Sequence, residues 1–205
     1  MKWEQFYNDL KDQPFIESQY LHLLYSNKNE VELQLSRWLK QQKIHRLKRG
    51  YYILDEKYRQ TKISEPAIAA VLKSPSYISV EKALEMYHLI PDVVYTFTSV
   101  TTKRRPAEFI TAIGRFKYLC LKKEYFWGYR ALGEREGYIA EPEKALLDLF
   151  YLEQKKIDES FLHSLRLQNT EQLDREKLVA YARKMGVPFV IKAVDLLLAM
   201  LTEDF

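Results

Sequence analysis

The stretch from Glu30 to Leu54, EVELQLSRWLKQQKIHRLKRGYYIL, changes its hydrophobic period halfway along. Up to Gln42 the apolar residues Val31, Leu35, Trp38 and Leu39 recur at the spacing of one helix face, leaving Gln34, Arg37, Lys40 and Gln41 on the opposite side. From Ile44 the pattern is short and alternating. Ile44 to Leu47 reads as a strand, Lys48-Arg49-Gly50 as a tight turn and Tyr51 to Leu54 as the hairpin partner. Upstream, Trp3, Phe6, Tyr7 and Leu10 mark a helix from Trp3 to about Lys11, ended by Asp12 and Pro14. Ile16, Tyr20, Leu23 and Leu24 mark a second from about Phe15 to Tyr25. Asn29 is the expected N-cap of the third helix, with Glu30 and Glu32 in its first turn, where the helix dipole favours carboxylates. Three helices followed by a hairpin with a basic tip is the order of a winged helix-turn-helix.

Beyond the hairpin, the polar run Asp55 to Gln60 reads as a linker. It divides the chain into an expected winged helix-turn-helix domain, 1–57, and a second domain, 61–205. The second alternates its elements. Glu65 to Lys73 and Ser79 to Tyr87 read as helices, and Tyr77-Ile78 as a short strand entering the latter, with Ser79 as its cap. Val93 to Thr102, dense in β-branched and aromatic residues, and Arg115 to Leu121 read as strands, with Glu124 to Gly128 and Gly137 to Ala140 as shorter candidates. The end is helical: Pro142 to Glu153, Asp158 to Leu165, Asp174 to Met185 closed by Gly186, and Pro188 to Leu201. The expected fold class is α+β, an N-terminal winged helix-turn-helix followed by a mixed α/β C-terminal domain.

Of the 205 residues, 47% are apolar and 29% charged, the composition of an ordered globular chain. The opening residues lack the basic and apolar regions of a signal peptide, and no stretch approaches the roughly 20 apolar residues of a membrane span, so a cytoplasmic protein is expected. Cys120 is the single cysteine, too few for an internal disulfide or a structural zinc site, and reads as a small buried strand residue. Residues 1–130 carry 22 basic and 14 acidic side chains, whereas residues 131–205 carry 10 and 14. A basic front suits a polyanionic partner.

Between Leu33 and Leu54 lie Arg37, Lys40, Lys43, Arg46, Lys48 and Arg49, with no acidic residue among them. A helix fits the DNA major groove, and a basic hairpin beside it meets phosphates or the minor groove. The guanidinium fork of Arg37 matches the two acceptors of guanine, and Gln34 and Gln41 suit adenine. Lys40, Lys43, Lys48 and Arg49 read as phosphate contacts that set register and affinity. A solvated basic face would also arise from solubility alone, and its coincidence with the helix and hairpin order tips the reading to double-stranded DNA. Lys103-Arg104-Arg105, in an expected loop before Pro106, is either an exposed turn, a second nucleic-acid contact or a site for an acidic partner.

Enzyme signatures are missing from the sequence: there is no Gly-rich phosphate loop, no Gly-x-Ser-x-Gly and no His-Glu-x-x-His, and the four histidines are scattered. No catalytic residue, cofactor or metal is therefore expected. Pro91-Asp92 with Glu153-Gln154-Lys155 matches only the loose form of a metal-dependent nuclease signature, since that chemistry wants both carboxylates on adjacent strands. The rival readings are a protein-interaction module without DNA binding and, behind it, such a nuclease.

Six pieces in order carry a resemblance: Leu35 to Lys40, Leu47 to Tyr52, Ser74 to Leu84, Leu89-Ile90-Pro91, Thr98 to Thr102 and Ile139 to Asp148. The chain resembles the AbiEi antitoxin family, most strongly in Ser76-Tyr77-Ile78-Ser79 and Pro142-Glu143-Lys144-Ala145-Leu146-Leu147-Asp148. The resemblance implies a bacterial antitoxin of a type IV toxin-antitoxin, abortive-infection system. Its winged helix would repress its own operon at inverted repeats, through Arg37, Lys40, Lys48 and Arg49. Its C-terminal domain would support repression and oppose a nucleotidyltransferase toxin without needing a stable complex. Glu141 departs from the small capping residue expected before Pro142. The helix-positioning role suits Glu143, Lys144 and Asp148 better than contact with a partner.

Overall fold

The computed structural model describes residues 1–134, 136–153 and 157–203. Its N-terminal part runs α1 (Trp3–Leu10), β1 (Ile16–Glu17), α2 (Ser18–Leu24), α3 (Lys28–Lys40), β2 (Ile44–Lys48) and β3 (Tyr51–Leu54). The strands form an antiparallel sheet in the order β1-β3-β2, which with the three helices makes a winged helix. Its core is aromatic at the centre. Phe6 lies 4.4 Å from Trp38 between ring centroids, and Trp3 meets the same indole edge-on at 5.2 Å.

Three details differ from the sequence reading. Ile16 and Glu17 are not helical but pair with Tyr52 and Tyr51, so the second helix starts at Ser18. Its phase shifts accordingly: Leu21 is buried, while Tyr20, Leu23 and Leu24 face outward. The cap of α3 is Asn27, whose side chain accepts from the Glu30 backbone N–H, and not Asn29.

The β2–β3 hairpin has a bulge between Arg46 and Lys48 and turns at Gly50, whose φ of +78° lies in the left-handed region that glycine tolerates. Strand alternation divides the hairpin between two cores. Ile44, Tyr52 and Leu54 join the N-terminal aromatic cluster, whereas Leu47 and Ile53 join the large C-terminal cluster.

At the base of the hairpin, the His45 ring N–H donates to the Asp55 carboxylate at 2.8 Å. That bond, with the Lys57 backbone N–H and charge, holds the Asp55 carboxyl below its usual value against the opposing effect of burial. A depressed carboxyl pKa contributes stability above the unfolded-state value and loses it as pH falls through the folded-state value. Asp55→Asn should therefore cost about 1 kcal/mol at neutral pH. Urea midpoints should converge with the native protein as the pH drops through the acid carboxylate range, and a gap independent of pH would contradict the assignment.

The C-terminal part runs α4 (Glu65–Leu72), β4 (Ser76–Ile78), α5 (Val80–Met86), β5 (Thr96–Thr101), β6 (Ala107–Ile110), β7 (Arg115–Cys120), β8 (Tyr129–Ala131), β9 (Tyr138–Ala140), α6 (Pro142–Glu153), α7 (Glu159–Ser164), α8 (Arg175–Met185) and α9 (Pro188–Glu203). The mixed sheet has the order β6-β7-β5-β4-β9-β8, with β5/β7 and β4/β9 parallel and the other pairs antiparallel. α4 packs on β4, β5 and β9, and α6 packs on α5, α8 and α9. The whole is an α+β fold, as the sequence leads one to expect.

Strands β6 and β8 are short, four and three residues, and lie outside the expected strands; β8 is exposed throughout. Val93 to Tyr95 lie ahead of β5, with Val93 and Tyr95 exposed, so the strand is shorter than its composition suggests. Lys123 to Tyr125 form a 3-10 turn where a strand was expected. Cys120 ends β7 half-buried and not buried, its Sγ 2.9 Å from the Lys103 carbonyl.

Candidate nucleic-acid interface

The α3 surface opposite Val31, Leu35 and Trp38 is exposed at Arg37, Lys40 and Gln41, with Gln34 half-buried beside them. Leu33, 51% exposed, stands four residues before Arg37 and therefore on the same face. The sequence reading passed over it because an outward leucine carries no signal of its own. The carboxylates of α3, Glu30 and Glu32, lie at its first turns, and Glu32 lies 3.1 Å from the His22 ring. The central and C-terminal part of the face is thus free of acid, and its basic residues Arg37 and Lys40 lie in the last turn.

The other expected contacts separate. Arg49 is exposed at the hairpin tip, and Arg46 is exposed with its guanidinium 5.7 Å from the Tyr52 ring centroid. Lys43 is half-buried, its ammonium 4.6 Å over the Trp3 ring, a cation–π contact that draws it toward the core. Lys48 differs most from its expected role as a tip phosphate contact. Its ammonium donates to the Val71 carbonyl at 2.6 Å, at the end of α4, and lies 4.4 Å over the Tyr51 ring. Burial holds its pKa below the usual lysine value, opposed by Glu17 and assisted by the charge of Lys103. The tip itself is pinned, because the Ser18 N–H donates to the Gly50 carbonyl at 2.9 Å.

This geometry separates two neighbours that look equivalent in sequence. If the hairpin tip meets a DNA backbone, Arg49→Ala should make the slope of log affinity against log salt shallower by roughly 0.9, as for the loss of one phosphate contact. Lys48→Ala should leave the slope nearly unchanged and instead lower the unfolding free energy by about 1 kcal/mol, the worth of a hydrogen bond. Salt titrations of DNA affinity and urea unfolding of both variants check this, and an equal loss of slope in the two would contradict it.

Lys103, Arg104 and Arg105 are exposed between β5 and β6. The loop is fixed at both ends: the Lys73 ammonium donates to the Arg105 carbonyl, and the Cys120 thiol to that of Lys103.

The two pieces that carry the strongest resemblance meet inside the C-terminal core. Asp148 accepts from the Tyr77 hydroxyl at 3.0 Å, from the Ser79 hydroxyl at 2.8 Å and from the Lys144 ammonium, which also donates to the Tyr77 hydroxyl at 3.1 Å. Tyr77 is 1% exposed, and Ser79, Lys144 and Asp148 are 0% exposed, so no solute reaches the cluster in this conformation. Burial pushes the Asp148 carboxyl up and the Lys144 ammonium down, each against the pull of the other. Ser79, expected to cap α5, makes no side-chain cap and spends its hydroxyl on Asp148. Glu143 accepts from the Asp174 N–H at 3.1 Å at the start of α8, and Glu141, the departure before Pro142, takes the Tyr181 hydroxyl at 2.6 Å. These contacts are internal and tie α6 to its neighbours.

The carboxylates of the loose nuclease signature are not shown to converge. Asp92 pairs with Arg166 at 2.5 Å on the surface, Glu153 ends α6, and Gln154 and Lys155 lie outside the described residues. Among the described residues, no helix is long and apolar enough to cross a membrane. The chain matches no family model and no curated protein.

Proposed function

We propose that the chain is a DNA-binding transcriptional repressor whose α3 enters the major groove while the hairpin tip meets the adjacent backbone. The observation that carries the reading is the central and C-terminal part of the outward face of α3, free of acid, with Arg37, Lys40 and Gln41 exposed and Arg46 and Arg49 exposed on the neighbouring hairpin. Arg37 is the base reader, Leu33 is placed to meet a thymine methyl, and Lys40 and Arg49 hold phosphates. The resemblance to the AbiEi family adds the operator, inverted repeats in its own promoter. It also adds the second role, opposing a nucleotidyltransferase toxin through the C-terminal domain. The reading assigns the chain no reaction, cofactor or metal.

Arg37→Ala should cost roughly 1–3 kcal/mol of operator affinity and relax discrimination at one base pair. Mobility shifts on matched and singly substituted operators check this, and equal weakening on every sequence would demote Arg37 to a phosphate contact. Co-expression with a nucleotidyltransferase encoded beside it tests the antitoxin role separately: unrelieved toxicity would remove that role and leave the repressor.

A protein-interaction module is the second reading, favoured by the outward Tyr20, Leu23 and Leu24 of α2, of which Leu23 is 85% exposed. Under that reading the chain binds no duplex at any salt concentration.

A further inference from the structure

Beside the β5–β6 loop lies an open cleft of about 650 Å³ whose lining includes Thr102, Arg104, Cys120, Lys122, Lys123 and Tyr151. Arg104, Lys122 and Lys123 are exposed. The cleft also holds one carboxylate, Glu124, 3.8 Å from the Lys122 ammonium, with both side chains 63% exposed. Such an open pair is weak and leaves the cleft cationic.

The position of the cleft matters as much as its charge. The end of α4 holds both the hairpin, through Val71 and Lys48, and the basic loop, through Lys73 and Arg105. At its other side the loop is fixed to the end of β7 by Cys120 and by the Leu121 N–H, which donates to the Thr101 carbonyl at 2.8 Å. Lys122 and Lys123 follow directly. The basic loop therefore lies beside the hairpin, the charge of Lys103 being felt at Lys48, and Arg104 carries it into the cleft.

We propose that this cleft is a second nucleic-acid site, in which Arg104, Lys122 and Lys123 take the phosphate backbone of the duplex that flanks the half-site read by α3. The proposal rests on the DNA-binding reading and extends the footprint onto the C-terminal domain. Duplex backbone suits the cleft better than a small anion. Small-ligand sites enclose most of their ligand, whereas three long exposed side chains around an open concavity offer charge without enclosure.

The test uses the full-length chain and a labelled random-sequence duplex of about 30 bp, roughly three helical turns. The triple variant Arg104→Ala, Lys122→Ala, Lys123→Ala should shallow the salt slope by about 2–3, near 0.9 for each lost contact. A control triple variant removes Arg183, Lys184 and Lys192, exposed cations of α8 and α9, and should keep the native slope. A native slope in the first variant, or equal losses in both, overturns the site. ATP bound by the native protein and lost in the first variant, with the DNA slope unmoved, assigns the cleft to a small anion and overturns it as well. A native protein that binds no duplex overturns the DNA reading and this site together, which separates the two failures.

Discussion

Asp148→Ala is expected to destabilise the protein by about 3–5 kcal/mol, the range for breaking a buried ion pair from one side. The loss is large because the carboxylate is the shared acceptor of Lys144, Tyr77 and Ser79, all buried. Its removal leaves a buried ammonium without its counter-charge, held only by the Tyr77 hydroxyl, and two hydroxyls without their acceptor, each at a desolvation cost. Against a total stability of roughly 5–15 kcal/mol, that is a substantial fraction. Replacing both charges together, Lys144→Met with Asp148→Leu, should restore only part of the loss, because it removes the unpaired ammonium while the Tyr77 and Ser79 hydroxyls stay without their acceptor. The site is shaped for a long side chain at 144: a Cβ on Gly128 would stand 3.0–3.2 Å from the aliphatic part of Lys144. Urea unfolding of the two variants decides the matter. A single variant within about 0.5 kcal/mol of the native protein, the range of an ordinary surface change, would contradict the account.

The second large effect concerns the separated winged helix. A fragment of residues 1–60 is expected to lack a cooperative unfolding transition and to bind DNA poorly, although it contains every element of the winged helix. Leu47 is 5% and Ile53 0% exposed in the whole chain, and both are covered by the C-terminal cluster. Exposing them forfeits roughly 1.5–3 kcal/mol each. The Lys48 ammonium also loses its acceptor on Val71. A domain of about 60 residues is marginal without such help. Thermal melts followed by circular dichroism compare the fragment with the full chain, and a sharp, cooperative melt in the fragment would contradict the shared core.

Legibility in the sequence followed the strength of each local pattern. The switch from helical to alternating period at Ile44 was readable because the α3 residues Val31, Leu35 and Trp38 face a single core. Strand β1 was not, because two residues show no alternation, and misplacing it shifted the phase assigned to α2. Leu21 faces the core because the helix begins at Ser18, leaving Leu23 and Leu24 outside.

The candidate interface was legible as a set of charges but not in its division. Nothing in Lys48-Arg49 says that a bulge turns the first toward Val71 and leaves the second in solvent. The buried cluster was hidden by the ordinary expectation that lysine and aspartate on a helix lie outside. Its trace in the sequence was the i, i+4 spacing of Lys144 and Asp148, which an exposed pair shares. Tyr77 and Ser79 arrive from some seventy residues upstream, a proximity that only the packing of β4 and α5 against α6 creates.

The most direct measurement of the central claim is the affinity of the intact protein for the duplex upstream of its own gene, against an unrelated duplex of equal length, across a range of salt. Specific binding at least about 10³ tighter than to the unrelated duplex is expected, as for site-reading proteins. Log affinity for both should fall linearly with log salt as counterions are released. Equal affinity for the two duplexes, or no binding to either at low salt, would contradict the account.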